Sequence, residues 1–256
     1  MPLELGMPLR RATIRADEPE SAGRPSMEVE HEPVASNVIA SFDKFDARAQ
    51  PFIRMRSQLI HIASDTGQRV FAITSAEPGA GKTHIAINLA AALSRITPTA
   101  LVELDLRRPS IATRLGLSRP RRGIDDFLDG SAVWNELGWR IRGFALDVYS
   151  VRAPRGNAEN LLTSEALQSL FDHLRAMEEQ PICIVDTSPM TVEDDFMLIA
   201  PAVDGVLMVV EEGRTSRRQI LEAAASLKAT PTIGTILNRS MWSPGHGSYY
   251  GSYRGT

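Results

Sequence analysis

The sequence predicts an α/β protein built on a mostly parallel sheet with helices on both faces. From residue 70 onward, short apolar runs alternate with amphipathic stretches, which is the pattern of repeated strand–helix units. Most of the runs are continuously apolar, as expected for strands that are buried on both faces. With 256 residues, of which 43% are hydrophobic, the chain is long enough for one such domain.

The first regular element is expected to be a helix over residues 43–66, with Pro51 kinking or restarting it. The apolar residues of this segment recur at helical spacing, and they are Phe45, Phe52, Met55, Leu59 and Ile62. The apolar runs then predict strands at 70–74, 100–104, 145–151, 182–185, 205–210 and 232–237. The stretches between them predict helices at 82–95, 110–116, 163–177 and 214–228.

Composition divides the chain into three parts. Residues 1–40 hold five of the sixteen prolines and four arginines against seven acidic residues, so we expect a flexible acidic leader. Residues 41–240 form the predicted domain. Residues 241–256 are too rich in glycine and polar residues to build a core, so we expect a flexible tail. This tail contains three of the four tyrosines, Tyr249, Tyr250 and Tyr253.

Composition also excludes several classes of protein. No apolar stretch approaches the length of a membrane-spanning helix, and the first residues lack the basic-then-apolar order of a secretory signal, so a cytoplasmic protein is expected. Cys183 is the single cysteine, which excludes an intramolecular disulfide and a cysteine zinc site. The balance of 28 basic against 31 acidic residues gives no support to a nucleic-acid binder.

The most informative motif is Ser-Ala-Glu-Pro-Gly-Ala-Gly-Lys-Thr at residues 75–83, which we call the phosphate loop. It follows a predicted strand and opens a predicted helix, which is the setting of a Walker A motif. Glycines there let backbone N–H groups surround phosphate oxygens, and the helix N-terminus adds positive charge. Ala76 stands where the strict pattern has glycine, so a glycine-rich turn with an incidental lysine is the less specific interpretation. The predicted nucleotide-binding residues here are Glu77, Pro78, Gly79, Ala80, Gly81, Lys82, Thr83 and His84.

Acidic residues at two predicted strand ends would complete a magnesium site, because Mg²⁺ prefers oxygen ligands. Glu103 and Asp105 lie at the end of the strand at 100–104, and Asp186 directly follows the strand at 182–185. Two residues apart on an extended strand, Glu103 and Asp105 are expected to face the same way. The less specific interpretations are a turn or helix-capping role for Asp186 and an arginine-paired surface role for Asp105.

Taken together, these motifs resemble the bacterial tyrosine kinases (BY-kinases), cytoplasmic autokinases of polysaccharide co-polymerase systems. The resemblance rests on Gly-Ala-Gly-Lys-Thr, Glu-Leu-Asp-Leu-Arg-Arg-Pro and Ile-Val-Asp-Thr-Ser-Pro, with a tyrosine-rich C-terminus. It implies a P-loop NTPase fold and an ATP- and Mg²⁺-dependent tyrosine autokinase that regulates polysaccharide polymerisation or export. The chain departs from the family at Glu103, where the family has Asp, and at Ser188, where it has Pro. Of the family's Glu-x-x-Arg-x-x-Arg helix motif only Arg56 remains.

The resemblance also implies roles for individual residues. Lys82 and Thr83 would bind phosphate and Mg²⁺, Asp105 and Asp186 would hold Mg²⁺, and residue 103 would accept the tyrosine proton. Asn238 lies where related folds read the nucleotide base. The tail tyrosines would be the phosphate acceptors. A membrane-anchored co-polymerase would act as activator and recruit the chain to the inner face of the plasma membrane, and self-association is expected.

Two other functions remain open at this stage. A MinD/ParA-like positioning ATPase would carry a second lysine at the start of the phosphate loop, where this chain has Glu77. A non-catalytic nucleotide-binding regulator of a polysaccharide export complex would keep the fold without phosphoryl transfer. The substitution at Glu103 and the reduced helix motif keep this second alternative open.

Overall fold

The computed structural model describes residues 26–27, 39–43, 45–191, 194–227 and 230–240. Most of the predicted leader therefore lies outside the described residues, as does the whole predicted tail with Tyr249, Tyr250 and Tyr253. Within the described part of the chain, no helix is both long enough and apolar enough to cross a membrane.

A mostly parallel sheet of eight strands runs through the described part of the chain. The strands are β1 (Ser26–Met27), β2 (Val70–Ser75), β3 (Thr99–Glu103), β4 (Trp139–Ile141), β5 (Leu146–Tyr149), β6 (Ile182–Asp186), β7 (Gly205–Glu211) and β8 (Thr232–Asn238). Their order is β1-β4-β5-β3-β6-β2-β7-β8, and only the β4–β5 pair is antiparallel. The predicted parallel sheet is thus confirmed, and each predicted strand is present with ends that shift by one or two residues.

Helices cover both faces of this sheet, also as predicted. They are α1 (Gln50–Thr66), α2 (Lys82–Leu93), α3 (Ile111–Arg114), α4 (Ile124–Leu128), α5 (Ala158–Leu162), α6 (Glu165–Arg175), α7 (Asp195–Ile199) and α8 (Arg217–Ser226). Alternate residues of β2 supply the two cores, since strand side chains point to opposite faces in turn. Phe71 and Ile73 join the core beneath α1 and α2, while Val70 and Ala72 join the core beneath α6 and α7.

The helix predicted over 43–66 was placed too early, because it begins only at Gln50. Pro51 lies in the first turn of this helix, where backbone N–H groups have no partner within the helix. The proline therefore costs no hydrogen bond there, and it starts the helix instead of kinking it. The residues before it form a short 3₁₀ turn, Ala47–Ala49, and Phe45 is 82% exposed. Phe45 is therefore not part of the apolar face, whereas Phe52 and Leu59 are buried as predicted.

Candidate active site

The three sequence motifs meet at one edge of the sheet. Strands β3, β6 and β2 are parallel neighbours, so their carboxyl ends lie together. Glu103 is paired in register with Asp186, and Asp186 is paired in register with Ile73 of β2, just before the phosphate loop. The backbone N–H of Leu104 also donates to the carbonyl of Asp186 at 2.8 Å. This edge is the candidate active site.

The phosphate loop has the backbone conformation that its glycines allow. Gly79 and Gly81 have φ of +83° and +96°, a region that side chains disfavour. A Cβ added to Gly81 would overlap the Asn238 side chain, so this position also lacks space for one. Ala76 is fully buried and is not among the described residues with positive φ, which explains why alanine is tolerated where the strict motif has glycine.

Asp186 and Lys82 form the buried centre of the site. Their exposed fractions are 1% and 7%, and neither carboxylate oxygen of Asp186 has a hydrogen-bond partner within normal geometry. Burial raises the pKa of Asp186 to about 7, while the nearby Lys82 charge and Thr83 hydroxyl oppose that shift. A buried carboxylate with free lone pairs is costly to keep in an apolar setting unless a cation meets it. These donors fit a hard divalent cation such as Mg²⁺.

A second carboxylate, that of Asp105, strengthens that interpretation. Asp105 is 8% exposed, and its Oδ1 accepts a hydrogen bond from the backbone N–H of Arg108 at 3.1 Å. Its negative charge is close enough to raise the pKa of both Asp186 and Glu103, although burial is the larger cause for each. Mutual repulsion of this kind is relieved when a divalent cation lies among the carboxylates.

The Glu103 side chain is placed differently from that of Asp105. Its Oε1 accepts hydrogen bonds from the backbone N–H groups of Ser110 and Ile111 at 2.5 and 2.8 Å, and its Oε2 accepts one from Val151 at 3.0 Å. Burial raises the pKa of this carboxyl to about 7, and the three backbone donors oppose the shift. Strand β3 ends at Glu103, so the alternation used to place Glu103 and Asp105 on one face does not extend to Asp105.

The loops around the carboxylates are held by ion pairs that the motifs did not indicate. Arg107, in the segment after β3, forms a two-pronged pair with Asp195 of α7 at 2.7 and 3.1 Å. The backbone N–H of Arg155 donates to the Leu106 carbonyl at 2.8 Å, and its side chain pairs with Asp125 of α4. The segment carrying Asp105 is thus fixed to neighbouring elements on both sides.

The opposite rim of the phosphate loop is formed by the β7–β8 side of the sheet. Asn238 Nδ2 donates to the Ala80 carbonyl at 2.8 Å, which places Asn238 against the loop. The Glu77 carboxylate accepts a hydrogen bond from Gln219 of α8. A Cβ on Gly79 would lie 3.5 Å from Arg214 Nη1, so this guanidinium lies over the loop. Sequence reasoning missed Arg214 and Gln219, because no local motif marks them.

His84, predicted to bind nucleotide, lies in the first turn of α2. Its ring packs edge-to-face against Phe52 of α1, with the ring centres 5.9 Å apart. Asn88 Nδ2 donates to the His84 carbonyl at 3.0 Å, and Asn88 Oδ1 accepts from the backbone N–H of Ser41. The His84 side chain therefore contributes to the contact between α1 and α2.

Comparison with known proteins finds relatives and solved structures that resemble this chain. No protein-family model matches it. It is 30% identical over 198 residues to the succinoglycan biosynthesis transport protein ExoP of Rhizobium meliloti, covering 75% of this chain and 25% of ExoP. It is 26% identical over 223 residues to the tyrosine-protein kinase YwqD of Bacillus subtilis, covering 86% and 92%. The solved VpsO kinase domain matches with a TM-score of 0.68 and 28% identity, covering 77% of this chain and all of that one. The chain is similar to bacterial tyrosine kinases.

These relatives differ in length. The present chain spans about a quarter of ExoP but nearly all of YwqD. The septum site-determining protein MinD of Pyrococcus horikoshii, solved with Mg-ADP, shares the fold at a TM-score of 0.57 and 17% identity. MinD-like proteins are therefore more distant from this chain than the bacterial tyrosine kinases are.

Proposed function

We propose that this protein is an ATP- and Mg²⁺-dependent protein-tyrosine autokinase that regulates exopolysaccharide or capsule polymerisation and export. The observation that carries the proposal is the buried Asp186, whose oxygens accept no hydrogen bond in normal geometry, beside Lys82 and the phosphate loop, in a chain similar to bacterial tyrosine kinases. Two relatives support the biological setting by their names, since ExoP acts in succinoglycan biosynthesis transport and YwqD is a tyrosine-protein kinase.

In the proposed reaction, a tyrosine oxygen forms a bond to the γ-phosphorus, the bond to ADP breaks and the phenol proton is lost. Lys82 and the amides of the phosphate loop would bind the β- and γ-phosphates. Thr83, Asp105 and Asp186 would hold Mg²⁺, which when bound neutralises charge on the phosphoryl group. Burial of Lys82 excludes water from its charge and so strengthens its attraction for phosphate. Hydrolysis of ATP by water in place of tyrosine would give a residual ATPase activity.

The proposed phosphate acceptors are Tyr249, Tyr250 and Tyr253. The position of Asn238 supports them, because it contacts the phosphate loop only a few residues before the tail begins. A fully extended chain spans at most roughly 3.3–3.6 Å per residue, so these tyrosines can reach at most about 36–54 Å from Asn238 at the site's rim. With this reach, the tyrosines can enter the active site of their own chain or that of a neighbouring copy.

The proposed partner is a membrane-anchored polysaccharide co-polymerase that activates the kinase and brings it to the inner face of the plasma membrane, where the kinase would self-associate. A non-catalytic regulator is the second candidate function. The contacts of Glu103 favour this candidate. The resemblance implies that residue 103 accepts the tyrosine proton, but three backbone N–H groups already donate to the Glu103 carboxylate.

Phosphopeptide mapping after incubation of the full chain with Mg-ATP, with and without the cytoplasmic segment of a co-polymerase, tests the proposal. We expect label on the three tail tyrosines and none in Lys82→Ala. Tyr149 serves as an internal control, because it is fully buried and stacked on Trp134. Nucleotide binding without any labelled tyrosine would instead favour the regulator, and label on Tyr149 alone would contradict the autokinase.

A further inference from the structure

The Glu103 side chain joins the two ends of the loop that follows β3. The backbone of Glu103 ends β3, and its side chain binds the N–H groups of Ser110 and Ile111 at the start of α3. The segment between them contains Asp105, whose Oδ1 accepts from Arg108 within the same loop. One side chain therefore fixes both ends of the segment that presents Asp105. The third contact, to Val151, fastens this loop to the segment after β5.

The same contacts leave Glu103 badly placed to receive a proton from a substrate. A general base must approach the group it deprotonates to within about 2.6–3.2 Å. Glu103 is 1% exposed, and both of its oxygens already accept from backbone N–H groups. A tyrosine entering from solvent could reach it only if these contacts were broken and the two loops separated.

We infer that Glu103 is a positioning residue, which holds the Asp105 loop in place for magnesium binding, and that it is not the acceptor of the tyrosine proton. The phenol proton then goes to water or to an oxygen of the transferred phosphoryl group, both of which the reaction supplies. The inference rests on the proposed function only where it concerns phosphoryl transfer. This role also accounts for Glu rather than Asp at residue 103. An Asp side chain is shorter by one carbon–carbon bond, about 1.5 Å, and would reach the two loops less well.

Hydrogen–deuterium exchange of the unliganded protein tests the structural part. In Glu103→Gln one side-chain oxygen remains, while the NH₂ group faces a backbone donor. We therefore expect exchange about tenfold or more faster at Ser110 and Ile111 or at Val151. Glu103→Asp, the milder variant, should also release some of these amides. Unchanged exchange at all three residues in both variants would overturn the inference.

Asp204→Asn provides the matched control. Asp204 likewise accepts hydrogen bonds from two backbone N–H groups, those of Arg69 and Val70, at 2.8 and 2.9 Å. These contacts lie at the amino end of β2, across the sheet from the active-site edge. The control should lose protection only around residues 69–70, which separates a general loss of stability from an effect on the Asp105 loop.

The second measurement is the Mg²⁺ dependence of binding of a fluorescent, non-hydrolysable ATP analogue. A residue that orients a metal ligand affects metal affinity by about 10–100-fold, so Glu103→Gln should need at least about tenfold more Mg²⁺ for half-saturation. Asp204→Asn should need the wild-type concentration. A purely structural role would lower the melting temperature of both variants and leave this Mg²⁺ requirement unchanged, which would contradict the inference.

Single-turnover transfer at saturating Mg²⁺ completes the test. A positioning residue predicts that Glu103→Gln recovers to within a fewfold of wild type. Loss of a general base predicts a deficit of about 10²–10⁴-fold that Mg²⁺ does not repair, with activity retained in Glu103→Asp, and that result would overturn the inference. If wild type shows no transfer, the proposed function fails, while the exchange and Mg²⁺ measurements still decide the role of Glu103.

Discussion

Replacing Gly81 with alanine should damage the phosphate loop in two separable ways. Alanine in the left-handed region costs about 1–2 kcal/mol, and Gly81 has a φ of +96°. The new methyl group would also displace Asn238, which would lose its hydrogen bond to Ala80, worth about 0.5–1.5 kcal/mol. We therefore expect Gly81→Ala to lower the free energy of unfolding by about 1.5–3.5 kcal/mol.

Gly143→Ala isolates the first of these effects. Gly143 has a φ of +81°, and a Cβ added there would meet nothing within 4 Å. The Gly143→Ala substitution should therefore lower the free energy of unfolding only by the backbone contribution, about 1–2 kcal/mol. Urea denaturation of both variants gives the two free energies, and calorimetry with Mg-ATP gives nucleotide affinity, which only Gly81→Ala should weaken.

Removing the obstructing side chain provides a further check. In Asn238→Ala, a methyl group at residue 81 has space, so adding Gly81→Ala to this background should cost less than in the wild type. The two substitutions should therefore be non-additive by about 0.5 kcal/mol or more. Equal destabilisation by Gly81→Ala and Gly143→Ala, together with strict additivity, would refute the argument that Asn238 fills the space above Gly81.

The remaining predictions concern three other side chains. Asp186→Asn should abolish the rise in melting temperature that Mg-ATP produces, because it removes the buried carboxylate that would hold Mg²⁺; an unchanged rise would contradict this. Arg214→Ala should weaken nucleotide binding severalfold in a salt-dependent manner, since it removes a positive charge beside Gly79, and unchanged calorimetric affinity would count against that position. Cys183 is buried in the core, and burial raises its pKa to about 12, so a thiol reagent at neutral pH should detect it only after denaturation.

The sequence was most informative where a single segment determines the structure. The continuous apolar runs predicted the strands, because a strand covered on both faces must be apolar along its whole length. The phosphate loop could be recognised for a similar reason, since Gly79 and Gly81 adopt backbone angles that other residues disfavour. The carboxyl edge where the motifs meet then followed from the rule that parallel strands end together.

Prediction was weaker where contacts join distant segments. The hydrogen bonds of Glu103 to Ile111 and Val151 depend on how two loops fold over β3, and strand alternation could not anticipate them. Arg214 reaches the phosphate loop only because β7 lies beside β2. The short helices α4, α5 and α7 were missed because five residues are too few to display a helical period.

The order of the strands has a consequence for how the protein is made. Strand β2 lies between β6 and β7, so the carbonyl of Ile73 accepts from Thr187, 114 residues later in the chain. Asn238 contacts Ala80 across 158 residues. Pairings between such distant segments form slowly, because a long loop must close before any contact compensates for the lost entropy. A growing chain therefore contains its phosphate loop long before residue 238 leaves the ribosome, and the surroundings of that loop can be completed only after that point.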